Sequence, residues 1–190
     1  MKTFAYTLAL LAFVMQTARA EAWKGNAEIQ FNGTSTLHDW AGKVKAEPFA
    51  AHLTRDAAGK PEHLTAKVEV KVTGMDTAEP KRDENMRKAM KAASFPLVTG
   101  TIDAPFSEIM SPQSHQPAIL PLTLELLGRK HQVKARISQW SEKDKTASFD
   151  LDFSLSLKEC GIEVPSMLLV VRVGDTIKLH ASVKLVRSNP

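Results

Sequence analysis

The sequence predicts an all-β fold of antiparallel strands, a sandwich or a barrel, carrying one short helix. Three observations lead there. Strict period-two alternation of apolar and polar residues runs through HLTAKVEVKV, ASFDLDFSLSL and TIKLHASVKL, the pattern of strands with one buried face and one wet face. The remaining candidate strands follow at hairpin-scale spacing, as in antiparallel all-β domains. One stretch alone, KRDENMRKAMK and its flanks, has three-to-four spacing and reads as a helix.

Taken in order, the chain opens MKTFAYTLALLAFVMQTARA, with Lys2, an apolar run from Phe4 to Val14, and small residues at Ala18 and Ala20. This is the pattern of a cleaved secretory signal, with residues 1–20 removed after Ala20 and residues 21–190 forming one exported domain. The apolar run falls short of the roughly 18 residues a membrane helix needs. Removing these twenty residues from 190 leaves 170, enough for one domain with a substantial core.

Strands are expected around Ile29 and Phe31 and around Val44 and Ala46. Inward residues are odd-numbered in the first and even-numbered in the second, so the stretch TSTLHDWAG between them must contain a phase slip. A bulge or bend is expected there, since a one-residue shift otherwise turns an apolar face outward. Asp39 is expected to bond the backbone two residues on, and Trp40 to pack into the corner. His38 and Asp39 then point apart and do not form a catalytic pair.

The next strand sets Leu64, Ala66, Val68, Val70 and Val72 on one face. A helix follows from about Pro80 to Ala93, with Pro80 at its first position and Met86, Ala89, Met90 and Ala93 as an apolar stripe. Val98, Gly100, Ile102 and Ala104 mark a strand, and SPQSHQP at 111–117 a polar loop. Leu120, Leu122, Leu124 and Leu126 lead to a hairpin at Gly128, and Val133, Ala135 and Ile137 follow it. The last two strands are ASFDLDFSLSL and TIKLHASVKL. This makes about seven or eight strands. Between the last two lies MLLVVRV at 167–173. It reads as a strand buried on both faces, a lip of the interior, or a surface for transient contact with a membrane or a partner protein.

Several function classes are disfavoured. The formal charge of +4 falls to +2 once Lys2 and Arg19 leave with the signal, and the densest basic stretch is interleaved with acids, so no nucleic-acid partner is expected. A single cysteine, Cys160, excludes an internal disulfide and reads as a small buried side chain. His38, His52 and His131 fall among expected turns, and none of the six histidines stands three to five residues from another. No metal site is therefore expected. No GxSxG, GxxxxGK or GxGxxG occurs, and no charged residue takes an inward position in a strand core, which argues against an enzyme. Inward Ala66, Ala104, Ala135, Ala147 and Ala181, with Gly100, either leave room for a ligand or fit the taper of a filled barrel.

The ordered set STLHDWAGKV, VEVKVTGMDT, KRDENMRKAMKAASFPLVTGT, LTLELLGRKHQVKARI and LDFSLSLKECGIEV resembles the YceI-like family of exported, lipocalin-like proteins associated with polyisoprenoid binding. The resemblance implies an antiparallel eight-stranded lipocalin-like barrel with a helix near one end. It also implies a periplasmic binding or carrier role for an isoprenoid lipid, a quinone tail or a polyprenyl phosphate, with no required cofactor. A closed-core module that binds another protein is the competing expectation. The residues expected to line the tunnel are Ile29, Phe31, Val68, Val70, Leu122, Leu124, Phe149, Leu151, Ile177 and Leu179. Arg82 is expected either at the polar head group or in a local ion pair with Asp83.

Overall fold

The computed structural model describes residues 19–163 and 172–188. Nine strands appear: β1 (Arg19–Gly33), β2 (Trp40–Lys45), β3 (Phe49–Arg55), β4 (Pro61–Lys71), β5 (Leu97–Pro105), β6 (Ile119–Leu126), β7 (Arg129–Lys143), β8 (Thr146–Ser156) and β9 (Thr176–Arg187). Helix α1 (Pro80–Ala89) precedes β5, and a single turn, α2 (Phe106–Ile109), follows it. All pairings are antiparallel. The order β1-β3-β4-β5-β6-β7-β8-β9 closes on itself where β1 pairs β9 from Trp23↔Arg187 to Asn32↔Lys178. Closure gives an eight-stranded barrel, with β2 ending the sheet beside β1. The sequence-based fold class holds, with β2 as an extra strand.

β2 and β3 occupy successive halves of one edge of β1: Glu28–Gly33 pair with β2 and Arg19–Gly25 with β3. Between them the Ala46 N–H donates to the Ala27 carbonyl (2.9 Å) and the Glu47 N–H to the Glu69 carbonyl (2.8 Å). Pro48 has no N–H to continue a ladder, and the chain changes neighbour there. β3 was not among the strands expected from the sequence, and His52, expected in a turn, lies on it. His131 likewise sits in β7, opposite Leu124.

Of the bulge or bend expected at 34–42, the chain takes the bend: it reverses there between β1 and β2, and the register Ile29↔Val44 and Phe31↔Gly42 places odd residues opposite even ones. Ser35, not Asp39, holds the turn. Its Oγ donates to the His38 carbonyl (2.7 Å) and accepts from the N–H groups of Leu37 (3.4 Å) and His38 (3.3 Å). Trp40 does pack as expected, edge-on to Phe31 with ring centroids 6.3 Å apart. An added Cβ at Gly33 would strike the Trp40 ring, and one at Gly42 the Phe31 ring. Both glycines therefore permit this aromatic corner.

The Gly128 hairpin appears as a two-residue turn, Leu127 and Gly128 both having positive φ (52° and 72°), which matches the twist of antiparallel strands. α1 ends at Ala89, short of Ala93. Lys91 takes φ 48°, with its N–H on the Lys88 carbonyl and the Ala92 N–H on the Arg87 carbonyl, both 3.0 Å. This pair of bonds is a Schellman closure. Ala93 is exposed, while Met90 is buried. Of MLLVVRV, residues 167–171 lie outside the described residues, as do residues 1–18 of the expected signal.

Candidate functional site

Inward alternation from every barrel strand encloses a cavity of about 730 Å³. Its wall includes Trp23 near one end of β1 and Phe31 near the other. Eight residues at about 3.3 Å each span roughly 26 Å along the strand, or about 20 Å along the axis of a barrel tilted by roughly 40°. The space is therefore a tunnel rather than a spherical pocket. All ten aliphatic and aromatic positions expected to line it, Ile29, Phe31, Val68, Val70, Leu122, Leu124, Phe149, Leu151, Ile177 and Leu179, stand on its wall, and Arg82 does too.

Small residues hold the bore open. Ala66, Gly100, Ala147 and Ala181 face the cavity, whereas Ala104 and Ala135 are buried in the wall itself. The pairs Ile29↔Ala181 and Leu151↔Ala181 set a small residue against large ones across β1, β9 and β8. A Cβ at Gly100 would meet only the Val68 carbonyl, at 4.0 Å. The middle of the bore has no polar wall, since the charged side chains that reach the cavity come from the ends of the barrel or from α1.

At the α1 end, Met75, Met86, Trp40 and Leu157 pack against Phe31, Val44, Val70 and Ile177. The polar side chains on the rim are Ser35, His38, Glu79, Lys81, Arg82 and Asn85. The expected Arg82–Asp83 ion pair does not form, because neighbouring residues on a helix do not face each other. Asp83 turns inward instead and accepts from the Thr77 N–H (3.0 Å) and the Thr77 hydroxyl (2.6 Å). Both residues are buried. This clasp fastens the first turn of α1 to the preceding chain. Arg82 turns to the rim, where its guanidinium carbon lies 6.0 Å from the Trp40 ring centroid and Nη1 donates weakly to the Thr77 carbonyl (3.5 Å). It has no carboxylate partner among the described residues.

The far end is built differently. Trp23, Ala51, Ala66 and Ala147 form its core, with Trp140 packed against them and stacked on Phe149 at 5.6 Å. Arg55 reaches the cavity but is held by Glu21 through two bonds (2.8 and 3.3 Å) and by the Gly59 carbonyl. Arg187 lies over Trp23 and also pairs with Glu21 (3.4 Å). The hydrogen bond from Arg55, aided by the charges of Arg55 and Arg187, holds the Glu21 carboxyl below the usual range despite its partial burial. Phe106, Ile109 and Pro117, near α2, also stand on the wall.

Among the described residues, polar groups elsewhere pair on the outer face rather than converge on the cavity. His63 bonds Asp103 (2.5 Å) and His180 bonds Asp152 (2.8 Å), both on the outer face of the barrel. Among the described residues no group of three or more His, Cys, Asp or Glu side chains could hold a metal. Cys160 is buried under the helix with Val72, Met90 and Leu126, and burial pushes its thiol pKa up, which disfavours the reactive thiolate.

Sequence reading missed Trp23 and Trp140, and it placed Trp40 in the corner but not on the wall, where all three tryptophans stand. Trp23 had a readable signal, since Trp23, Gly25 and Ala27 continue the odd-numbered face of Ile29 backwards. Trp140 did not. The register of β7 shifts between Ser138 and Ser141, with Gln139 at φ 52°, and this bulge moves the inward face from odd to even residues.

Comparison with known proteins agrees with this architecture. The model of the YceI-like domain family matches residues 18–185. A polyisoprenoid-binding domain from Saccharophagus degradans, implicated in plant cell wall breakdown, superimposes with a TM-score of 0.61 at 10% identity. It covers 87% of this chain and 98% of its own. BcnA from Burkholderia cenocepacia gives 0.62 at 13% identity, covering 83% and 95%. A YceI protein of Campylobacter jejuni gives 0.54 at 17%, covering 78% and 85%. At these identities the likeness is one of fold. No curated protein matches the sequence.

Proposed function

The chain belongs to the YceI-like family, and from that premise we propose that it binds a long isoprenoid lipid, of quinone-tail or polyprenyl-phosphate type, inside the barrel. We further propose that it is exported, shortened after Ala20, and carries its lipid through the periplasm as a binding protein rather than an enzyme. One observation supports this reading above the rest: an apolar bore of about 730 Å³ whose strand-core wall carries no charge. A barrel filled by its own side chains, as a pure protein-interaction module would be, has no such space. Desolvation of each CH2 group in the bore favours binding by about 0.8 kcal/mol before the cost of ordering the chain. The isoprenoid class is suggested by the Saccharophagus degradans neighbour, and long branched hydrocarbon is the chemistry an aliphatic tunnel accepts.

Trp23, Trp40 and Trp140 all face the bore and provide the test. Titrating the lipid-free protein with a polyprenol should change tryptophan fluorescence saturably, at one chain per barrel. A linear, non-saturating response, such as surface partitioning gives, refutes the reading. Cell fractionation addresses the export proposal, and unshortened chain found only in the cytoplasm contradicts it.

A further inference from the structure

We infer that the tunnel is polar in direction: the lipid carries an anionic, phosphate-type head, which sits at the α1 rim on Arg82, and its tail points toward Trp23 and Trp140. This rests on the lipid-binding reading above and narrows it to one class of head group and one orientation.

The two ends differ in the state of their arginines. At the far end, Arg55 spends its donors on both oxygens of Glu21 and on the Gly59 carbonyl, and Arg187 shares the same carboxylate. Glu142 also reaches the cavity at that end. An anion there would have to break an ion pair and approach a carboxylate. At the α1 rim, Arg82 has one weak bond to a backbone carbonyl and no ion pair among the described residues, leaving most of its N–H donors unspent. The acids nearby are largely engaged. Glu84 is shared by Lys81 and Lys88, whose hydrogen bonds bring its carboxyl down to about 2, and Asp83 is buried on Thr77. Glu79 also reaches the cavity at this rim, but its carboxylate caps the helix by accepting from the Lys81 N–H (3.3 Å) and takes no donor from Arg82; the ends differ in their arginines rather than in having a carboxylate.

The rim also holds Arg82 in place. The Asp83–Thr77 clasp fixes the helix turn, and Trp40, braced by Phe31 and Gly33, supplies the surface beneath the guanidinium. A held guanidinium with a planar fork of free donors is suited to phosphate oxygens. A neutral quinone head could accept one of these hydrogen bonds but would leave the positive charge uncompensated.

The test compares geranylgeranyl monophosphate with geranylgeraniol, which share a tail, by fluorescence titration. The wild-type protein should prefer the phosphate by about tenfold or more, the scale of one charge-assisted hydrogen bond. Added salt should reduce the preference. Arg82→Gln should abolish it, phosphate affinity falling about tenfold or more relative to that for the alcohol, and Arg82→Lys should restore part of it. Thermal melts establish that the variants are folded. A tail brominated at its far end should still quench fluorescence in Trp40→Phe, where only Trp23 and Trp140 report. Equal affinity for phosphate and alcohol in the wild type, or quenching confined to Trp40, overturns this inference and leaves lipid binding standing. Failure of both ligands to bind refutes the lipid-binding reading itself.

Discussion

Gly100→Phe should close the tunnel without harming the fold. Gly100 lies in β5 between Val68 of β4 and Leu124 of β6, all three facing the bore. Its backbone needs no glycine, and an added Cβ meets nothing closer than 4.0 Å. Replacing glycine within a strand removes a penalty of about 0.5–1 kcal/mol, and burying part of an aromatic ring in an empty bore adds to that gain. The melting temperature should therefore hold or rise by a few degrees, since about 1 kcal/mol corresponds to roughly 2–4 °C at this chain length. Binding should suffer. If the ring displaces one five-carbon unit, the loss at about 0.8 kcal/mol per carbon is about 4 kcal/mol, or roughly a thousandfold in Kd. Thermal melts and polyprenol titration on one preparation read both effects. A folded Gly100→Phe protein that binds as well as wild type refutes the tunnel, because the ligand would have to lie elsewhere.

Three further outcomes follow from the same geometry. Asp83→Ala strands the buried Thr77 donors and should cost about 1–3 kcal/mol, read as a lower denaturation midpoint; an unchanged midpoint contradicts the clasp. Lys91→Gly relieves the left-handed residue that ends α1 and should raise stability by about 1 kcal/mol in the same assay; a loss would show that the Lys91 side chain matters more than its backbone. Stability should also fall in acid. The hydrogen bond from Arg55 holds Glu21 below the ordinary carboxylate range, and Lys88 and Lys81 bring Glu84 to about 2. Groups lowered in the folded state stabilise it above their unfolded pKa and lose that effect as pH falls through the folded one. Melting temperature should thus be level above about pH 4.5 and decline from there toward about pH 2, with a shallower decline in Glu21→Gln. A flat profile down to pH 2 would contradict these pairings.

Much of the barrel was legible because one face of each strand is apolar and the other wet. That alternation placed eight of the nine strands and all the expected wall residues from Ile29 to Leu179. β3 escaped because Ala50 on its outer face blurs the alternation of Phe49, Ala51 and Leu53, and because Pro48 interrupts the segment just before it. At 34–42 parity left a bulge and a bend open, because it reports which face a residue takes but not chain direction, and a reversal between β1 and β2 produces the same odd-to-even change as a bulge. A bulge does occur in β7 at Ser138–Ser141, where no turn residue announces it. The Arg82–Asp83 pair was hidden at another level. Adjacent residues in sequence diverge on a helix, and the partner that claims Asp83, Thr77, comes from the chain before it. The rim is assembled from segments far apart in sequence, so periodicity alone could not reveal it.

Whether the barrel is built around a long isoprenoid chain is read by extracting the protein purified from its producing cells with organic solvent and weighing the extract by mass spectrometry. The expected result is a long isoprenoid at close to one chain per barrel in the wild type, and its loss in Gly100→Phe. Wild-type protein that is folded, freshly isolated and free of lipid, and that takes up none on incubation with polyprenyl phosphate, would contradict it.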